Sequence, residues 1–188
     1  MSLVPGKDGA PPQYALIATD LGWIGVAATA RGLRCLVLPL PTAAQAEAAL
    51  RRACPAAAPV AALPGDLAER LRRYAQGEPV DFPDAVDLTE ATLFQQRVWA
   101  ITRTIPRGQT RSYQWLAEQA GSPRGARAVG RAMATNPVPI VIPCHRVVGA
   151  NGRLCGFGGG LDLKARMLRL ESGAAPLLSG SGLGGVGG

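Results

Sequence analysis

The sequence predicts an α+β protein built of two unlike halves, and three observations carry that reading. Short β-prone runs separated by turn signals fill the first forty residues, whereas helical spacing dominates after residue 92. The charge divides the same way. Residues 1–93 hold eight Lys/Arg against ten Asp/Glu, residues 94–172 hold twelve against three, and the whole chain carries +7 at pH 7.

Residues 14–18, 22–28 and 33–38 are apolar runs parted by Thr19-Asp20-Leu21-Gly22 and Ala30-Arg31-Gly32, which reads as a three-stranded antiparallel sheet. Residues 42–53 and 64–75 follow with helical spacing, opened by Thr42 and Pro64, the second closed by Gly77. Residues 80–88, with Pro79 and Pro83 in or beside them, are expected to be an extended linker at a domain boundary. From Thr92 to Ile105, Phe94, Val98, Ile101 and Ile105 recur on one helical face, and Pro106-Arg107-Gly108 ends the run. Ser112 is placed to cap a helix from Tyr113 to about Ala120, and Gly121-Ser122-Pro123 turns the chain into another from about Arg124 to Thr135. Two short helices joined by a Gly-containing turn match a helix-turn-helix. A last helix over 161–171 points Leu163, Met167 and Leu170 inward. Residues 1–12 are expected to be flexible and the Gly/Ser-rich 173–188 to be disordered. This leaves residues 13–88 as a bracing unit with its linker and 89–172 as the unit that acts.

Composition excludes several classes. No apolar stretch reaches transmembrane length, and the Pro/Gly-rich start lacks a secretory pattern, so no membrane association is expected. Cys35, Cys54, Cys144 and Cys155 have neither disulfide-framework nor zinc spacing, which suits a reducing cytoplasmic location with no metal and no cofactor. The basic second half points to a polyanion on one side of the molecule, with a merely solvated basic surface as the alternative.

The candidate chemistry centres on Pro143-Cys144-His145-Arg146, where the only histidine adjoins a cysteine. A thiol becomes a strong nucleophile on losing its proton, and an imidazole beside it is a base for that proton. The apolar run 136–142, broken by Pro137 and Pro139, is expected to deliver Cys144 as a strand to a half-buried position. By itself the pair fits a protease, a redox enzyme or a transferase.

With Tyr113, Ala126-Arg127-Ala128-Val129-Gly130, Asn136-Pro137, Pro143-Cys144-His145-Arg146-Val147-Val148 and Glu171, the chain resembles the O6-alkylguanine-DNA alkyltransferase family, closely over 89–173 and more loosely before it. The resemblance implies a ribonuclease-H-like N-terminal half and a winged-helix-like C-terminal half. It also implies one-shot transfer of an alkyl group from guanine O6, less so from thymine O4, to Cys144. In that scheme His145 takes the thiol proton through a water and Glu171 orients the imidazole. Tyr113 donates to the leaving guanine, and Asn136 fixes the turn before the active-site run. The backbone carbonyls of Cys144 and Val147 and the amide of Gly158 read the base. Arg127 enters the stack in place of a flipped nucleotide, while the small residues Ala126, Ala128 and Gly130 let the helix approach the minor groove. Arg124 and Arg131 are phosphate-contact candidates, and solvated surface charge is their alternative role. Pro139, Val147, Val148, Phe157 and Gly158 line the pocket. The implied partner is double-stranded DNA, bound by a monomer with little sequence preference. The chain departs from the family at Phe157 and Gly158, where a tyrosine and a small polar residue are usual, which implies a looser pocket wall. Lesion binders without chemistry replace the cysteine, and a plain winged-helix regulator leaves the Cys-His-Glu set unexplained.

Overall fold

A computed structural model describes residues 10–173. The expected flexible N-terminus and Gly/Ser-rich tail therefore lie almost wholly outside the described residues. Strands β1 (Gln13–Thr19), β2 (Gly22–Thr29) and β3 (Gly32–Leu40) pair antiparallel as the turn signals predict. The sheet has a fourth strand that was not expected: β4 (Ala58–Pro59) pairs parallel to β1, so the sheet is mixed, in the order β3-β2-β1-β4. Two residues ending in proline carry no alternation for a sequence pattern to detect. A register shift near Ala27 and Ala28 bends β2 against β3.

Helix α1 (Ala43–Ala53) covers one sheet face, its cap a reciprocal Thr42–Gln45 box. Tyr14, Ala27, Cys35, Leu50 and Cys54 form the core there, and a methyl at Gly25 of β2 would lie 2.9 Å from Leu50 Cδ1. Helix α2 (Leu67–Ala75) covers the other face with Leu67, Leu71, Tyr74 and Ala75. It starts three residues later than expected because Pro64 and Gly65, the latter at φ +90°, form the turn before it. The segment after it is extended and hydrogen-bonds along β3 through Leu33 N–H to Ala85 O (2.9 Å) and Asp87 N–H to Leu33 O (2.8 Å).

Helices α3 (Leu93–Arg103), α4 (Tyr113–Gln119) and α5 (Ala126–Ala134) enclose a second core around Val98, Trp99, Leu116, Val129 and Ile142. α4 ends in a Schellman motif: Gly121 at φ +72° donates to Glu118 O and Ser122 N–H to Ala117 O. α5 begins at Ala126, not Arg124, which falls in the turn because Gly125 takes the cap position. Strands β5 (Arg111–Ser112) and β6 (Val147–Val148) form a two-residue parallel ladder, and α6 (Gly160–Ser172) closes the fold. The core under α2 includes Val138, Ile140, Val141 and Met167, so the two halves share it.

Residues 136–142 are not a strand. They form a compact turn with a bridge between Pro139 and Ile142 and with Ile140 at φ 76°. Prolines at 137 and 139 remove the N–H donors a ladder needs, so the run folds back on itself.

Candidate active site

Asn136 organises the turn that leads to the cysteine. Its Nδ2 donates to Ile142 O (2.8 Å) and its Oδ1 accepts from Val138 N–H (3.0 Å), bracing a backbone that has no ladder of its own. Cys144 then opens a 3-10 turn, Cys144–Arg146, closed by Arg146 N–H to Pro143 O and Val147 N–H to Cys144 O. The β5–β6 ladder continues from it, pairing Ser112 with Val148. Since Ser112 also caps α4 through Trp115 N–H (3.0 Å), Tyr113 is held at the start of α4 beside the cysteine turn.

The thiol lies in the wall of a cavity of ≈ 670 Å³. Of the sequence-predicted residues, Tyr113, Ala126, Arg127, Gly130, Asn136 and Pro139 line it, together with Phe157 and Gly158 from the loop opposite. Ala128, Arg131 and Arg124 lie outside the cavity, and both arginines are exposed on the α5 side. Val147 and Val148 do not line it either. Their side chains are buried in the core, because β6 is committed to its ladder with β5. The carbonyl of Cys144 accepts from Val147 N–H and that of Val147 from Lys164 Nζ (2.6 Å), each keeping a second lone pair.

Behind the thiol sits a charge network in which His145 and the Glu171 carboxylate are fully buried and Arg146 is nearly so. His145 Nε2 is 2.7 Å from Glu171 Oε1, and Arg146 grips the same carboxylate through Nε to Oε2 (2.8 Å) and Nη2 to Oε1 (2.9 Å). Burial pushes Glu171 up, but the bonds from His145 and Arg146 outweigh it and hold the carboxyl well below its usual range. An ionised carboxylate only accepts, so Nε2 carries the imidazole proton and Nδ1 presents a lone pair. Nδ1 is buried with no hydrogen-bond partner among the described residues. Burial lowers the His145 pKa despite Glu171, which favours the neutral ring. Burial also raises the Cys144 thiol, opposed by the Asn136 side chain and the Lys164 charge. The Cys144 thiol is therefore held in its protonated form at rest. Tyr113 is pushed up to about 12 by burial and by the neighbouring thiols, which keeps its hydroxyl a hydrogen-bond donor.

Three participants escaped the sequence reading. Lys164, on α6 and fully buried, donates to the carbonyls of Val147 and Cys155 and lies about 6.0 Å from the Tyr113 ring centroid. Arg146 stands in the motif, but its place there does not reveal that it pairs with Glu171. Tyr74, from the first half of the chain, donates to Glu171 Oε1 (3.1 Å). The i, i+3, i+7 spacing of Lys164, Met167 and Glu171 on α6 is the signal for Lys164, since Met167 is expected inward and Lys164 lies one turn before it on the same face. Among the described residues no group of three or more His, Cys, Asp or Glu is placed to hold a metal ion, and no helix is long and apolar enough to cross a membrane.

Known proteins resemble this chain in sequence and in fold. Residues 93–173 match the family described as 6-O-methylguanine DNA methyltransferase, DNA binding domain. The chain is 50% identical over 108 residues to the methylated-DNA–protein-cysteine methyltransferase of Mycobacterium tuberculosis strain H37Rv, covering 57% of this chain and 65% of that protein. The protein of the same name from Methanosarcina acetivorans is 44% identical over 106 residues, covering 56% of this chain and 67% of its own. The chain thus spans just under two thirds of the length of the M. tuberculosis relative. The crystal structure of M. tuberculosis O6-methylguanine methyltransferase superposes with a TM-score of 0.72 at 36% identity, covering 88% of this chain and 96% of that one. The M. tuberculosis OGT in complex with DNA gives 0.73 at 38%, with the same coverage. By sequence and by fold, the chain belongs to the methylated-DNA–protein-cysteine methyltransferase family.

Proposed function

We propose that this protein repairs DNA by moving the alkyl group of O6-alkylguanine, and less readily of O4-alkylthymine, onto Cys144. The carrying observation is the Cys144 thiol in the wall of a cavity, backed by the buried His145–Glu171 pair. In the step, Cys144 Sγ forms a bond to the alkyl carbon while the bond from that carbon to guanine O6 breaks. The thiol proton leaves toward His145 Nδ1, and Glu171 and Arg146 hold the ring and balance the charge that develops. Tyr113 donates a hydrogen bond to the departing guanine. A thioether is not a group that water cleaves, so one molecule is consumed per lesion and no cofactor is needed.

The exposed arginines along α5 and the Arg127 edge of the cavity support a DNA surface read by backbone contacts rather than base edges. The target nucleotide is flipped into the cavity at a cost of a few kcal/mol, with Arg127 filling the stack and the small residues Ala126, Ala128 and Gly130 meeting the minor groove. α4 and α5 act as the helix-turn-helix of a winged-helix-like unit, residues 89–172. A ribonuclease-H-like unit, residues 13–88, braces it. The protein acts as a monomer, with little sequence preference, in a reducing cytoplasm. Phe157 and the open space around Gly158 support acceptance of alkyl groups larger than methyl. A strong preference for methyl- over benzylguanine oligonucleotides refutes that point.

The test of the whole reading is incubation with a duplex carrying labelled O6-methylguanine. Label is expected on the protein in a one-to-one limit and none on the Cys144→Ala variant. Lesion binding without transfer supports a recognition protein instead, and no lesion preference supports a plain DNA-binding domain.

A further inference from the structure

Tyr74 is 1% exposed, yet its hydroxyl is not spent on packing. It donates to Glu171 Oε1 (3.1 Å) and lies 3.4 Å from His145 Nε2, at the junction of the carboxylate and the ring. The side chain is fixed from three sides. Phe82 meets its ring edge-on at 5.9 Å, the His145 ring at 6.4 Å, and the Arg107 guanidinium lies 5.8 Å from its centroid. Arg107 is anchored in turn by Nη2 to Gly77 O (2.6 Å) and Leu170 O (2.8 Å), joining the turn after α2 to the end of α6 that carries Glu171. A phenylalanine fills the same space, so packing does not account for the hydroxyl, and a buried tyrosine O–H needs an acceptor.

We propose that Tyr74 is a positioning residue: its hydroxyl shares Glu171 Oε1 with His145 and fixes the orientation of the imidazole whose Nδ1 takes the thiol proton. Oε1 receives Tyr74, His145 and Arg146, while Oε2 receives Arg146 alone. Tyr74 thereby limits how far the carboxylate pulls the ring toward itself and away from Cys144. The charged and titratable groups facing this arrangement are Glu171 and Lys164 from α6, Arg146 from the cysteine turn, and Arg107 beside the phenol. The first half of the chain thus contributes to the reacting centre through a hydrogen bond. This assignment rests on the alkyl-transfer reading.

The experiment is Tyr74→Phe in the full chain, with two readouts and melting temperature as the control for folding. The single-turnover rate of methyl transfer from an O6-methylguanine duplex is expected to fall about tenfold, the loss of one hydrogen bond to a charged group, with DNA affinity unchanged. His145 is the only histidine, so its ring 15N and Nε2–H resonances are unambiguous, and in the variant they are expected to move as Oε1 turns wholly to the ring. A rate within twofold of the parent, or a slower rate with superimposable His145 signals, overturns the proposal. So does a shifted ring that reacts at the parental rate. If the parent itself transfers no methyl group, the alkyl-transfer reading fails, whereas unmoved His145 signals count against Tyr74 alone.

Discussion

Glu171 shows how a single buried residue couples stability to chemistry. Its carboxylate is wholly enclosed and takes bonds from His145, Arg146 and Tyr74. Removing one member of such a group leaves the others desolvated without compensation. Glu171→Gln is therefore expected to lower unfolding free energy by about 3 kcal/mol in denaturant titration. It should also slow alkyl transfer at least roughly tenfold, since the imidazolium loses its anionic partner. Asn136 acts through neutral bonds. Asn136→Ala frees Ile142 O and Val138 N–H and is expected to cost about 2 kcal/mol, read from the same titration. The motif made Cys144, His145, Asn136 and Glu171 legible as a set. It left Tyr74 and Lys164 unread, because an isolated tyrosine or lysine in a helical pattern has bland roles and their partners lie 97 and 17 residues away.

At the scale of elements, the loop and helix around the cavity set what it accepts. A methyl group on Gly158 meets nothing within 4 Å, whereas one on Gly159 would lie 2.6 Å from Leu163 Cδ2, 3.1 Å from Leu38 Cδ1 and 3.3 Å from Phe157 Cε1. Gly158→Ser is expected to leave the melting temperature unchanged. Gly159→Ala is expected to cost about 1 kcal/mol and, by displacing Leu38 and Phe157 in the cavity wall, to slow reaction with O6-benzylguanine more than with the methyl lesion. On α5, Arg131 is exposed and outside the cavity, so Arg131→Ala should weaken binding evenly across DNA sequences and reduce the salt slope of affinity by about one. Three of the six helices, α1, α3 and α4, follow from capping residues written in the sequence: Thr42, Thr92 and Ser112 each accept from the third residue of their helix. Strand β4 and the 136–142 turn do not follow, because neither has a periodicity: β4 exists only through its pairing with β1, and the turn through the bonds of Asn136.

Over the whole molecule, Asp87 ties the sheet to the segment entering α3. Burial pushes its carboxyl up, but Thr89, Thr29 and Arg31 donate to it and hold it at about 2, below its ordinary value of 3.8. Its contribution is present above the unfolded value and disappears as pH falls through the folded one. Asp87→Asn is thus expected to cost about 2 kcal/mol at neutral pH, with the difference vanishing between about pH 4 and pH 2 in pH-resolved unfolding. The sequence by itself determined the α+β layout, the capped starts of α1, α3 and α4, the uneven charge and the adjacent Cys144-His145 pair, because local patterns and short motifs are properties of neighbouring residues, while the resemblance added Glu171. Tertiary structure alone decided that β4 joins the sheet, that the halves share one core, and that the inward face of α6 carries Lys164 and Glu171. It also decided that Tyr74 reaches the reacting centre. The physical reason is common to these: a buried charge or a two-residue strand is stable only once a distant partner satisfies it, and no local pattern records that partner.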